Sequence, residues 1–324
     1  MAESIMYPRP LVEGDKIAIL SPAGIVRKDF VYDAVKVLSS QGWRPYIGKS
    51  ALSEHGSFSG SEHARFQDFS EAVKDPETRA VFCSRGGYGC VQLLEMLETI
   101  DIVSDPKWIV GFSDVSVLHA FMLSKGIAGI HASMAKHLSL TGGADDDSNA
   151  LFGILRGQMP TYRWKAHENN RCGVATGRVV GGNLAVLQAL INTPYDIFCK
   201  DVILFIEDIA EPIYKVERML YQLRLNGVLG SLRGLIAGHF TQYDPDQNYD
   251  DMEAMIKRMT ESYDYPVAMA APIGHIEHNI PIVEGADAVL DVSADAVTLR
   301  FGDTKKREQV SGISINSTNK LNNR

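Results

Sequence analysis

Three residues set far apart in the chain could together break an amide: Ser113 in KWIVGFSDVSVL, Glu207 at the end of VILFIE, and His275 in AMAAPIGHIEHN. A serine hydroxyl is a weak nucleophile until a base takes its proton, and that base needs an acceptor to orient it. Among nine histidines, His131, His239 and His275 follow apolar, strand-like runs, where a site would be built. His275, flanked by Pro272 and Gly274, lies in a turn rather than a core strand, which favours it as the base. His239 in LIAGHF is a close rival, and His131 reads as a satisfied buried histidine. Glu207 closes an apolar run, where a lone charge is costly unless paired. Asp208 and Glu211 are adjacent alternatives.

Each of these residues also has a plainer reading. A serine in front of a helix ordinarily caps it. Acids after a strand suit the N-terminus of the next helix, and a loop imidazole is often only a surface group. Ser113 lacks the G-x-S-x-G elbow: Gly111 fits, but Val115 stands where the second glycine belongs. The segment SRGGYG, Ser84 to Gly89, supplies glycine N–H groups that can point at an oxyanion. It has neither the Gly-Lys-Ser/Thr ending of a phosphate loop nor the dinucleotide spacing. His275, Glu277 and His278 lie within four residues, but Pro272, Gly274 and Pro281 argue against the helix that a zinc motif of that kind needs. No metal is expected.

The elements that must position these groups alternate. Strand-like runs span Lys16 to Gly24, Ala80 to Gly89, Trp108 to Asp114 and Ile127 to Met134. Helical spacing spans Asp29 to Gln41, His63 to Lys74 and Asp114 to Lys125, the last with Val117, Leu118, Phe121 and Met122 on one face. This is an α/β pattern. Ligands of open α/β sheets sit outside the carboxyl ends of the strands, so SPAG, SRGGYG and GFSD should converge there. The stretch from Leu138 to Gly173 is polar and turn-rich and reads as the connection between two domains. Beyond it come TGRVVGGNLAVLQALINTP, a strand, a glycine turn and a helix running to Pro194, then a buried-looking strand from Asp201 to Pro212 and a helix from Ile213 to Asn226. SLRGLIAGHF, a helix from Asp250 to Ser262, YPVAMAAPIGH and the short strands AVLDVS and AVTLRF complete the chain. The expected division is 1–160, a linker at 161–174, a second domain at 175–310 carrying Glu207 and His275, and a tail at 311–324.

Bulk properties narrow the partners. The chain has 324 residues, 45% hydrophobic and 22% charged, with a net charge of −8, which suits a soluble globular protein and leaves room for two domains. The longest basic cluster is Lys305-Lys306-Arg307, so nucleic acid is not an expected partner. MAESIMYPRPLVEGDK lacks a signal-peptide pattern, and no stretch of about 18 apolar residues predicts a membrane span. Cys83, Cys90, Cys172 and Cys199 form no Cys-x-x-Cys pair. A cytoplasmic, reducing location is the expectation.

Taken together, SRGGYG, VGFSDVS, GGNLAVL, LFIED with YKVERMLYQL, GLIAG, and PIGH with NIPIVEGADAVLDV resemble the LD-carboxypeptidase family of serine peptidases, with its microcin-immunity-type relatives. The motifs keep the family order from about Gly14 to about Phe301. The resemblance implies an N-terminal flavodoxin-like parallel-sheet domain, a smaller C-terminal β-rich, swivelling-barrel-like domain, a site at their junction and a homodimer. It makes Ser113 the nucleophile, His275 the base and Glu207 its orienting carboxylate, with N–H groups around Gly86 or Gly87 and of Asp114 as the oxyanion hole. It implies no cofactor, and cleavage of murein tetrapeptide with release of its terminal D-alanine. Arg85, next to the glycines, is a candidate for the substrate's terminal carboxylate, or else for a salt bridge inside the sheet. Ala132-Ser133 depart from the Gly-Pro that the family pattern places after His131. The rivals are hydrolysis of peptide–nucleotide antibiotics of the microcin type on the same scaffold, and a non-catalytic module that binds a small anion.

Overall fold

The computed structural model describes residues 4–246, 249 and 251–302. The first half runs β1 (Lys16–Leu20), α1 (Lys28–Ser40), β2 (Arg44–Ile47), α2 (Glu62–Lys74), β3 (Thr78–Cys83), α3 (Leu94–Leu97), β4 (Trp108–Gly111), α4 (Ser116–Ser124) and β5 (Gly129–His131). Helices α5 (Ala135–Thr141) and α6 (Asp146–Leu155) follow. The second half runs β6 (Thr161–Lys165), β7 (Gly173–Asn183), α7 (Leu184–Gln188), β8 (Val202–Ile209), α8 (Ile213–Leu225), β9 (Gly234–Thr241), α9 (Met252–Thr260), β10 (Val267–Ala268), β11 (Ile282–Glu284), β12 (Asp287–Val292) and β13 (Ala296–Phe301).

Two sheets result. The first has the order β11-β5-β4-β3-β1-β2, with β2, β1, β3, β4 and β5 parallel. That is the flavodoxin-like arrangement, with its topological switch point between β1 and β3. All six residues of β3, TRAVFC, are buried, as expected of a central parallel strand covered on both faces. The second sheet has the order β10-β9-β8-β7-β12-β13-β6; β7 to β10 are parallel and β12, β13 and β6 add an antiparallel meander.

The strands of the first sheet stop earlier than the apolar runs suggest, at Leu20, Cys83 and Gly111. SPAG, SRGGYG and FSD are thereby left as loops outside their carboxyl ends. Helix α4 differs from the one-faced helix expected of it: every residue from Ser116 to Leu123 is buried. It packs against β5 of its own sheet and against α7 and β7 of the second half, and its polar residues Ser116 and His119 are buried with it and hydrogen-bonded there.

The polar stretch after Leu138 is more structured than its composition implies. Asp145 accepts from the N–H of Ser148 and so caps α6, which makes ADDDS a helix start. TYRWK, placed in the linker at 161–174, is strand β6, paired with β13 at the edge of the second sheet. Its alternation of exposed and half-buried residues belongs to an edge strand with one wet face, and such a strand reads as a polar loop. Two further corrections concern the second half. Helix α7 ends at Gln188 rather than running to Pro194. Strand β11 crosses back to pair antiparallel with β5 in the first sheet, so the halves share a sheet as well as the apolar clusters that join Leu118 to Val180 and Val110 to Phe205. The tail at 311–324 and the Lys305-Lys306-Arg307 cluster lie outside the described residues.

Candidate active site

Ser113 opens a short 3₁₀ turn between β4 and α4, with φ at +64°. An L-residue in this left-handed region is strained by about 1–2 kcal/mol, so the surrounding packing must impose the conformation. The plain capping role is not what the structure shows: Ser113 lies inside the 3₁₀ turn, whose N-cap is Phe112, and the N-cap of α4 is Val115. Its neighbour across the sheet edge is Gly86. A Cβ at Gly86 would lie 2.9 Å from Ser113 Cβ, 3.0 Å from Ser113 Oγ and 3.2 Å from the Asp114 nitrogen. Only a glycine lets the SRGGYG loop come this close to the serine. Asp114 turns inward, where its carboxylate accepts from the Cys90 N–H at 2.8 Å. Burial raises the Asp114 carboxyl above its usual range, partly offset by that N–H bond.

Glu207 lies near the carboxyl end of β8 and is fully buried. His275 Nδ1 is 2.8 Å from Glu207 Oε2, while Glu207 Oε1 is buried with no protein donor. The loop carrying His275 is held from two directions. Gly274, at φ +121°, packs against Glu207 so closely that a Cβ there would meet Glu207 Cβ and Oε2 at 3.0 Å. Asn279, wholly buried, accepts from the Gly274 N–H at 2.9 Å and donates its own N–H to Asp147 at 2.8 Å. The two sides meet at Phe112, the residue before Ser113, whose ring centroid is 4.8 Å from that of His275. Among the described residues Ser113 Oγ has no hydrogen bond to the imidazole; such contacts often tighten only when substrate is bound.

The other residues singled out above have distinct places. Arg85 is exposed and donates to the Ile25 carbonyl at 2.5 Å, so it is not a salt bridge inside the sheet. His239 is half-buried, and burial lowers its pKa. His131 is fully buried, but the reading of it as satisfied is corrected: neither ring nitrogen has a protein partner, and it sits between the rings of Phe112 and Phe205. Desolvation pushes its pKa well below the ordinary value, so it is neutral. Glu211 pairs with Lys215 at the surface. None of the acids after β8 caps α8, whose N-cap is Pro212.

Sequence reasoning missed the brace between the halves. Ser116 Oγ accepts from the Asn183 N–H at 3.1 Å, Asn183 Nδ2 donates to Asp208 at 2.9 Å, and the Ala185 N–H donates to Asp208 at 2.8 Å. Helix α4 is thus tied to the residue beside Glu207. The signal was present in GGN, where an asparagine follows two glycines just before a helix. His137, Asp145 and Asp147 also cluster, but Asp145 is occupied by α6 and His137, and Asp147 by His278 and Asn279.

Two family descriptions match this chain. The LD-carboxypeptidase N-terminal domain matches residues 17–132 and the LD-carboxypeptidase C-terminal domain matches residues 176–290. The chain belongs to the LD-carboxypeptidase family. The Synechocystis sp. protein slr1534 is 30% identical over 93% of this chain and 99% of its own length. The murein tetrapeptide carboxypeptidase of Pseudomonas aeruginosa is 27% identical, with 85% of this chain and 93% of that protein covered. The muramoyltetrapeptide carboxypeptidase of Oxalobacter formigenes superposes with a TM-score of 0.80 at 28% identity, covering 89% of this chain and 99% of that one. The microcin C7 self-immunity protein MccF shares the fold with a TM-score of 0.81 at 22% identity. In this LD-carboxypeptidase chain, no helix among the described residues is long and apolar enough to cross a membrane.

Proposed function

We propose that the chain is a serine LD-carboxypeptidase that removes the terminal D-alanine from murein tetrapeptide, with Ser113 as nucleophile, His275 as base and Glu207 as its orienting carboxylate. The observation that carries this reading is the 2.8 Å contact of His275 Nδ1 with a fully buried Glu207, on a loop packed against the residue next to Ser113. With Nδ1–H donated to Glu207, Nε2 is the nitrogen left to take the Ser113 proton. Ser113 Oγ then attacks the carbonyl of the L-centre, and the N–H groups of Gly86 or Gly87 and of Asp114 receive the oxyanion. His275 returns the proton to the departing amine of D-alanine, and water resolves the acyl-enzyme by the same path. No step calls for a metal or organic cofactor. Arg85, exposed beside the glycine loop, is available to the terminal carboxylate of the peptide. Assembly as a homodimer belongs to the same reading and rests on the family resemblance, while the cytoplasmic part of it rests on four cysteines that form no disulfide.

The test is D-alanine release from purified murein tetrapeptide by the wild type and by Ser113→Ala. Release by the wild type, reduced by about four or more orders of magnitude in the variant, is expected. A folded wild type that releases nothing would move the reading to peptide–nucleotide substrates of the microcin type, and inertness of Ser113 to a fluorophosphonate would move it to a binding module. Undiminished activity after treatment with a chelator is expected as well.

A further inference from the structure

Arg65, on α2, is 2% exposed and lies within salt-bridge distance of no carboxylate among the described residues. Burying a guanidinium is costly unless its donors are used, and here they are used on three backbone carbonyls and one side-chain amide oxygen. Nη1 donates to the carbonyls of Pro22 at 2.6 Å and Gly89 at 3.0 Å, Nε to the carbonyl of Gly60 at 3.3 Å, and Nη2 to Gln92 at 2.5 Å. Its flat face lies on the Phe58 ring, 5.0 Å from the centroid. One side chain therefore joins three loops at the carboxyl edge of the first sheet. Gly89 has φ +136°, and a Cβ there would stand 2.7 Å from Arg65 Nη1.

The contact with Gly89 reaches the nucleophile's turn through a single peptide unit. The Gly89 carbonyl accepts from Arg65, and the N–H of the same unit, on Cys90, donates to the Asp114 carboxylate. A charged donor on the carbonyl polarises the amide and strengthens the bond its N–H makes. Gly86 and Asp114, whose N–H groups would form the oxyanion hole, sit on the two segments that this relay clamps together.

We propose that Arg65 is the positioning residue of the oxyanion hole: its guanidinium sets the separation of the Gly86–Gly87 loop from the Ser113–Asp114 turn. The proposal rests on the reading of Ser113 as nucleophile. A Lys keeps the charge and much of the apolar stem, but its single nitrogen cannot span three loops.

The experiment compares the wild type, Arg65→Met and Arg65→Lys as full-length protein. It measures kcat and KM for D-alanine release per site titrated with a fluorophosphonate, and the rate constant of phosphonylation of Ser113. Titration removes any difference in folded fraction, and KM against kcat separates hole geometry from substrate binding. For Arg65→Met we expect kcat lower by about 100-fold, KM within about threefold of wild type, and phosphonylation slowed in step. Arg65→Lys should recover less than about a tenth of the wild-type kcat. A kcat within about twofold of wild type in either variant, or a rise in KM at constant kcat, overturns the proposal. If Arg65→Met does not fold, Arg65→Lys decides alone. A wild type that neither releases D-alanine nor reacts with the fluorophosphonate takes down the catalytic reading and this inference with it; an active wild type with unaffected variants takes down this inference only.

Discussion

The turn that carries Ser113 and the loop that carries His275 face one another from two different sheets, and they are held in different ways. On the serine side the backbone does the holding: φ is +64°, Gly86 leaves no room for a Cβ, and Arg65 grips carbonyl oxygens. On the histidine side the grip is a side-chain network, with Glu207 on the imidazole, and Asn279 and Asp147 on the loop. A backbone-built site is most sensitive to added volume and, Arg65 apart, little affected by the charge of its neighbours. A site built on a buried carboxylate is the reverse. The two halves should therefore break under different substitutions.

The largest effect should come from removing charge on the histidine side. Glu207→Gln keeps the shape, but its amide can hold the imidazole in the wrong tautomer, and kcat should fall by about 10³–10⁴ with the fold retained. Steady-state D-alanine release together with circular dichroism checks this. On the serine side volume is the lever. Gly86→Ala sets a methyl 2.9 Å from Ser113 Cβ, so the turn or the loop must shift, and kcat should fall by about 10²–10³, as when an oxyanion donor is lost. The same methyl should slow phosphonylation of Ser113, whereas an Ala in place of the exposed Arg85 should leave that rate unchanged and act, if anywhere, on KM. Equal sensitivity of both sides to both kinds of change would erase the distinction.

The same contrast explains what the sequence made legible. The βα alternation and the loops SPAG, SRGGYG and FSD outside the strand ends follow from local pattern, because turn residues interrupt apolar runs wherever a parallel strand ends; local pattern offered Ser113, Glu207 and His275 only among rivals, and the family resemblance singled them out. The left-handed backbone of Ser113 does not follow from local pattern, since strain is imposed by tertiary packing. Arg65 was illegible for a related reason. In EHARFQDF it is one charged residue on a helix, and only the fold brings the Pro22 and Gly89 carbonyls to it. Asn183 and Asp208 lie 25 residues apart and meet only because β7 and β8 pair in parallel. Strand β6 was hidden by its wet face, and β11 by lying in the first sheet after most of the second had been built.

The next effect concerns pH. Asp208, beside Glu207, has its carboxyl pushed up to about 6, chiefly by burial and further by Glu207, against N–H bonds from Ala185 and Ile209. A carboxyl raised from 3.8 binds its proton more tightly folded than unfolded. Its contribution to stability is therefore greatest at low pH, declines as pH rises from about 4 to about 6, and is constant above that, by at most about 3 kcal/mol. Asp208→Asn mimics the protonated form and should remove this slope. Denaturant unfolding of wild type and variant at intervals between pH 4 and 7 measures it as a difference, which cancels the other carboxylates. Identical slopes would mean that the Asp208 carboxyl titrates at the same pH in the folded and unfolded chain.

The smallest effect is the most direct measure of how the serine side is built. Ser113→Gly and Ser113→Ala both delete the hydroxyl and should both be inactive, but only glycine adopts φ +64° without strain. Relief of about 1–2 kcal/mol, less about 0.5–1 kcal/mol for the added freedom of glycine in the unfolded chain, leaves Ser113→Gly more stable than Ser113→Ala by roughly 0.5–1 kcal/mol. Urea midpoints at an unchanged m-value read the difference. If glycine gives no gain, the turn is not held against its own preference. The serine would then be placed by contacts of its side chain, as the histidine is, and the left-handed backbone would be a consequence of that placement rather than its cause.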